Sequence, residues 1–195
     1  MLLAGAVGGT LGDRYHTWSG VLAYPDPVIF DEAWWVPLPF AAAGLGLCSG
    51  HRLLRGLLHE PAVYRRPRDI VLASAMLAAA YAASGLLPHR PLLLAALMAV
   101  AFIVRAAIAR SRVLVALALG GALVGCVVEG SLAAGGAFAY TVPTSPLGLP
   151  VWLPGLYFHA AFLVAGVDDL LRIAWWRAHH PHTAAEAGQR APDAA

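Results

Sequence analysis

Long apolar runs, broken by short polar or proline-rich segments, organise the chain. The most informative runs from Asp31 to Leu47, DEAWWVPLPFAAAGLGL: two acids, two indoles, a proline within the first helical turn, then an Ala- and Gly-rich apolar stretch. Tryptophan favours the headgroup zone of a bilayer, where its ring is half apolar and its N–H stays wet. Proline is tolerated there because the first N–H groups of a helix have no internal partner. The pattern predicts a helix entering a membrane, with Trp34 and Trp35 at its surface.

The other runs extend this reading. Met1 to Leu11 is apolar but short of the roughly 20 residues a span needs, so either the helix continues through Asp13 and Arg14 toward Leu22 or the span is incomplete at its N-terminus. It lacks the basic n-region of a cleaved signal peptide. Further apolar runs predict spans near 69–87, 91–109, 113–138 and 151–176. With 1–22 and 33–50 they make an all-α, polytopic, six-transmembrane-helix bundle over residues 1–178. Tyr24 to Glu32, with Pro25, Pro27 and three acids, reads as a surface loop, and Tyr140 to Pro150, proline-rich and uncharged, as a rigid loop able to lie over the bundle mouth. Between His51 and Arg68, five arginines alternate with Leu53, Leu54, Leu57 and Leu58 at helical spacing, which predicts a short amphipathic piece on an anionic leaflet. Residues 179–195 read as a disordered cytoplasmic tail.

Composition agrees. Of 195 residues 59% are hydrophobic and 12% charged, and the mean hydropathy is +0.68, too apolar for an ordinary soluble domain. Every lysine-or-arginine position is arginine, which together with heavy Ala, Leu and Gly use suggests a high-GC bacterial gene and a bacterial plasma membrane. Six spans with a cytoplasmic N-terminus put Arg52, Arg55, Arg65, Arg66, Arg68, Arg105, Arg110, Arg112, Arg172, Arg177 and Arg190 inside, leaving Arg14 and Arg90 outside. By the positive-inside rule both termini are expected in the cytoplasm. Trp152 then joins Trp34 and Trp35 at the outer surface, and Trp175 and Trp176 lie at the inner one.

Candidate chemistry is sparse. No CxxC, HExxH, GxGxxG, P-loop or GxSxG pattern occurs. Cys48 and Cys126 sit in apolar runs as small hydrophobes. His179, His180 and His182 lack the carboxylate or thiolate company of a metal site. No catalytic residue, metal, cofactor or nucleic-acid partner is expected. Asp168 and Asp169 read as interfacial ion-pair partners of Arg172 on their own helix. Glu129 is the acid well inside an apolar span, about 14 Å below its outer end if that end is Phe138, on a stripe of small residues formed by Gly121, Gly125 and Ala133. His159 lies about 12 Å below the outer end of the next helix. The two could simply bond each other and lock two helices, or line a pocket and meet a ligand's hydroxyl or ester head. The rival reading makes Glu129 the proton donor and His159 its partner in an intramembrane isoprenoid- or lipid-modifying enzyme.

Several motifs resemble the insulin-induced gene (Insig) family of six-helix membrane proteins: Tyr24-Pro25, Ala33-Trp34-Trp35-Val36-Pro37, Arg110-Ser111-Arg112, Gly136, Tyr140-Thr141, Pro143, Trp152-Leu153-Pro154 and Gly166. Their order covers Met1 to about Arg172. The resemblance implies a non-enzymatic bundle that holds a membrane lipid and pairs with other membrane proteins. Eukaryotic members bind oxysterols and retain sterol-sensing-domain proteins in the endoplasmic reticulum. Those members carry an acid before Arg-Ser-Arg that supports partner binding, where this chain has Ala109, and Glu129 and His159 fall outside the shared pattern. The resemblance therefore implies a lipid pocket more strongly than sterol-sensing partners. The expected ligand is sterol-like, terpenoid or of diacylglycerol type, with Trp34, Trp35, Pro37, Tyr140 and Trp152 framing the outer end of its cavity and Glu129 and His159 supplying polar contacts. A role as lipid sensor or regulator, a partner membrane protein and a homo-oligomer are compatible with this expectation.

Overall fold

A computed structural model describes residues 1–64 and 66–180. Among them run six helices: α1 (Leu2–Trp18), α2 (Pro37–Leu58), α3 (Pro67–Leu86), α4 (Pro91–Ala109), α5 (Arg112–Ala134) and α6 (Leu153–His179), with a two-residue antiparallel pair of β1 (Leu22–Ala23) and β2 (Ala139–Tyr140). Proline opens α2, α3, α4 and α6, where its missing N–H costs nothing. Ser111 caps α5 by accepting from the Leu114 N–H at 3.2 Å. The expected tail lies outside the described residues beyond His180.

α6 is the centre. It packs against α2, α3, α4 and α5, while α1 lies against α2 and α3. Two apolar clusters hold the bundle on either half of α6: Leu153, Leu156 and Trp152 with Leu94, Met98 and Val142, and Ala161, Phe162 and Ala165 with Leu114, Leu117 and Ala118. α1 and α2 meet backbone to backbone, since a Cβ on Gly5 would stand 2.5 Å from the Phe40 carbonyl and 3.2 Å from the Cα of Gly44. Such close approach is how helices gain packing contact where no water drives them together.

Three helices, α3, α4 and α5, are long and apolar enough to cross a membrane. Their outward residues are large and apolar, as in Leu92, Ile103 and Ile108 of α4. Each remaining helix carries charge, and between α2 and α6 it is paired inside the protein. The stretch from His51 to Leu58 is therefore no separate piece on a leaflet but the last two turns of α2, held in the bundle by α6. Asp168 and Asp169 are buried, and their partners lie on α2 instead of at Arg172. Asp168 accepts from Arg52 Nη2 at 2.7 Å, His51 Nδ1 at 3.0 Å and Cys48 Sγ at 3.4 Å. Asp169 accepts from Arg55 Nη1 at 2.6 Å and from the backbone N–H groups of Val63 and Tyr64.

The same end of the molecule is tied again by Glu60, whose carboxylate accepts from the Ser111 hydroxyl at 2.6 Å, the N–H groups of Arg112 and Val113, and Arg112 Nε. The Ser111 hydroxyl, followed by those neighbours, holds this carboxyl below its usual range. Although Ala109 stands before Arg-Ser-Arg, an acid from another loop thus reaches that segment. At the opposite end β1 pairs with β2, and His16 of α1 meets Ser84 of α3 at 2.7 Å. α5 ends at Ala134, four residues before the expected Phe138, because Gly135 leaves the helix and Gly136 turns through φ +76°. The uncharged loop folds back as expected, burying Val142 and Leu149 in the α6 cluster.

Candidate functional site

Two neighbouring, half-open cavities of about 610 and 220 Å³ lie between the helices, and Asp13, Phe40, Ala43, Leu47, Glu129, Tyr140 and Tyr157 line both. The larger runs down between α2 and α5, past Leu54, Gly50, Leu117 and Gly121, and reaches Trp35 and Phe138 at the β1–β2 end. The smaller lies among α1, α2 and α6, ending near Val164 and Val167. Apart from the polar groups at their shared wall, the linings are almost wholly hydrocarbon.

That wall holds two carboxyls. Glu129 accepts a hydrogen bond at each oxygen, from the hydroxyls of Tyr140 and Tyr157. Asp13 Oδ2 accepts from the hydroxyl of Tyr24. The small-residue stripe on α5 explains how Glu129 is reached: a Cβ on Gly125 would lie 2.3 Å from the Tyr157 ring, so that glycine leaves the ring its place and the hydroxyl arrives one turn further on. Tyr140 comes from β2 and Tyr24 from the loop after β1, so the pairing of these strands brings both hydroxyls over the helix ends. Rings support them, with Tyr24 edge-on to Trp35 at 5.8 Å and Phe138 edge-on to Tyr140 at 5.6 Å. Burial lifts the hydroxyls of Tyr24 and Tyr140 well above their ordinary range, so both stay protonated as donors.

Of the seven residues expected at the site, Glu129, Tyr140 and Trp35 line the larger cavity. The other four lie elsewhere. Trp34 is 67% exposed, an anchor on the outside of the bundle. Pro37 starts α2, and its neighbours Val36 and Pro39 reach the cavity in its place. Trp152 is buried in the α6 cluster beneath the ring of His16, 5.7 Å away. His159 faces α4, where its Nδ1 accepts from Arg105 Nη1 at 3.1 Å, and Arg105 lies 4.3 Å over the ring of Phe162. With α5 ending early, Glu129 sits only about 8 Å below that helix's outer end. Depth alone did not make it a neighbour of His159, because the two side chains leave their helices on different faces. The pairing of Glu129 with His159, on which both a mutual lock and a Glu129 proton donor with a His159 partner depend, is not formed.

Asp13, Tyr24 and Tyr157 were not expected at the site. A signal for Asp13 was present: Gly5, Gly9 and Asp13 repeat on α1 the spacing of Gly121, Gly125 and Glu129 on α5, a stripe of small residues ending in an acid. Nothing local distinguishes Tyr157 from a lipid-facing aromatic residue.

No protein-family model matches the chain, and no curated protein does. Two solved structures are similar. One is the Insig homologue MvINS from Mycobacterium vanbaalenii, with 24% identity and a TM-score of 0.74 over 87% of this chain and 90% of that one. The other is a cross-linked trimer of a cysteine-substituted MvINS, with 25% identity and the same TM-score and coverage. A fold shared over most of both chains makes this chain Insig-like in fold, and with its apolar helices it is an integral membrane protein.

Proposed function

We propose that this protein is a non-enzymatic lipid receptor of the membrane, whose bundle takes an amphipathic molecule of sterol-like, terpenoid or diacylglycerol type into the cavity between α2 and α5. The observation that carries the reading is the 610 Å³ hydrocarbon-walled cavity with one polar wall at Asp13, Glu129 and Tyr140. Its volume falls in the range of small-molecule sites, roughly 300–1,000 Å³, and its division into a long apolar body and a polar end matches a lipid's own. Occupancy would bridge α2 and α5, so the ligand would bias how they pack, which suits a sensor that presents one surface to partner membrane proteins when filled and another when empty.

In this reading all six helices span the membrane and both termini are cytoplasmic. The ties between helix ends support that arrangement: β1 with β2 on the proposed outer side, and Glu60 with Ser111 and Arg112 on the proposed inner side. The apolar outward face of α4 and the trimeric state of the cross-linked MvINS support self-association.

The test is mass spectrometry of lipid extracted from gently purified protein. A single lipid class is expected in stoichiometric amount, and Glu129→Leu should lower it severalfold. Wild-type protein that carries only a sample of bulk phospholipid would count against the proposal.

A further inference from the structure

Arg105 is a cation without an anion. Arg52 and Arg55 meet Asp168 and Asp169, and Arg112 meets Glu60, but no carboxylate among the described residues pairs with Arg105. It stands four residues before the end of α4, about 6 Å in from that end. A helical side chain leans toward the N-terminus of its helix, so this one leads deeper into the apolar layer. Neutral groups hold it there: Nη1 donates to His159 Nδ1 at 3.1 Å, Nη2 donates to the Tyr64 hydroxyl at 3.4 Å, and the guanidinium carbon lies 4.3 Å over the Phe162 ring.

The cluster has donors to spare. A guanidinium offers five N–H groups, and only two are engaged. Because arginine always donates, His159 keeps its own proton on Nε2, and Tyr64 accepts with its oxygen and still has a proton to give. No acceptor among the described residues answers these groups. A charge at this level is costly unless an anion meets it. The way in is open, since α3 and α4 each pack on α6 but touch each other little, and residues 87–90 tie them only at the far end. Their groove therefore opens toward Arg66 and Arg110, both exposed, with Val104 and Ile108 exposed on its α4 side.

We infer that Arg105, Tyr64 and His159 form a binding site for the phosphate of an anionic membrane lipid, which enters the α3–α4 groove from the leaflet at the Glu60 end. The exposed apolar residues on α4 favour a lipid over a soluble phosphate, and a bilayer thins locally to bring headgroups down to an arginine. Arg105 lines neither cavity, so the site is independent of what fills them.

The full chain in nanodiscs of equal parts dioleoyl-phosphatidylglycerol and dioleoyl-phosphatidylcholine, released for native mass spectrometry, reports which lipid stays. Wild-type protein should retain the glycerol lipid over the choline lipid by at least about tenfold, the scale of a hydrogen bond to a charged group. In Arg105→Gln the preference should fall to within about threefold, and Arg66→Gln/Arg110→Gln, which removes only exposed charges, should keep more of it. Should Arg105→Gln not fold, Tyr64→Phe serves in its place, because losing one donor should lower the preference severalfold. Equal retention of both lipids by wild-type protein would overturn the inference and assign the counter-charge to an acidic side chain of a neighbouring protein. A preference unchanged in Arg105→Gln or Tyr64→Phe would overturn it too, and release of the bound lipid by added inorganic phosphate would overturn the lipid as the source of the anion.

Discussion

Glu129 owes its Tyr157 donor to a missing side chain, because only a glycine at position 125 leaves room for the Tyr157 ring against α5 so that its hydroxyl can arrive. Tyr157→Phe should keep the ring packing and lose that donor, which leaves one carboxyl oxygen unpartnered at a cost of about 1–3 kcal/mol. Thermal unfolding in detergent should show a lowered Tm, with less lipid retained. Gly125→Ala should do the same by displacing the ring, and an unchanged Tm in both would mean that this contact contributes nothing. Glu32, buried in the loop ahead of α2, is tested through pH. Burial raises its carboxyl to about 7 from 4.5, partly offset by Arg14. Below 4.5 the group is protonated in both folded and unfolded chains. As pH rises through about 7 the folded protein must give up a proton that burial had favoured, so that part of the stability is lost. The wild-type Tm should therefore fall between pH 5 and 8 and that of Glu32→Gln should fall less; equal slopes would remove Glu32 as the source.

At the scale of elements, the joint between α2 and α6 decides where α2 ends. A helix turn bearing His51, Arg52 and Arg55 belongs in water or on a headgroup surface unless carboxylates meet it, and Asp168 and Asp169 do. Removing one member of a buried pair costs about 3–5 kcal/mol because the other is stranded. Asp169→Ala should stand at the upper end, since it strands Arg55 and frees the N–H groups of Val63 and Tyr64. Arg52→Ala should cost less: the Arg52 side chain is half exposed, and Asp168 keeps His51 and Cys48. Denaturation of the two variants in one detergent checks the order, and the reverse order would show that Asp168, not Asp169, holds the joint.

For the whole molecule the decisive property is which loops share a side. In a Cys48→Ser/Cys126→Ser background, a cysteine placed at Ser145 should react with an impermeant maleimide on intact cells, and one at Ala62 only after the membrane is opened. Labelling of both from outside would rule out six spans. A joint distribution of this kind also governs cooperativity, because α6 touches four other helices and carries both apolar clusters, so its loss should unfold the bundle as one unit.

Local patterning was enough to determine the solvent and the elements. Apolar runs of bilayer length, first-turn prolines and interfacial indoles each act through short-range physics, and they set six helices, α4 at Pro91–Ala109 as expected, though α2 runs on to Leu58, past its expected end at 50. The ordered motifs went further and pointed to the family. What tertiary structure alone decided was partnership. Whether Arg52 and Arg55 lie on a leaflet or inside the bundle depends on acids more than a hundred residues away, and whether Glu129 meets His159 or Tyr157 depends on the rotation of α6 about its axis. Helical periodicity states which residues share a face of one helix; only packing chooses the neighbour that the face will meet.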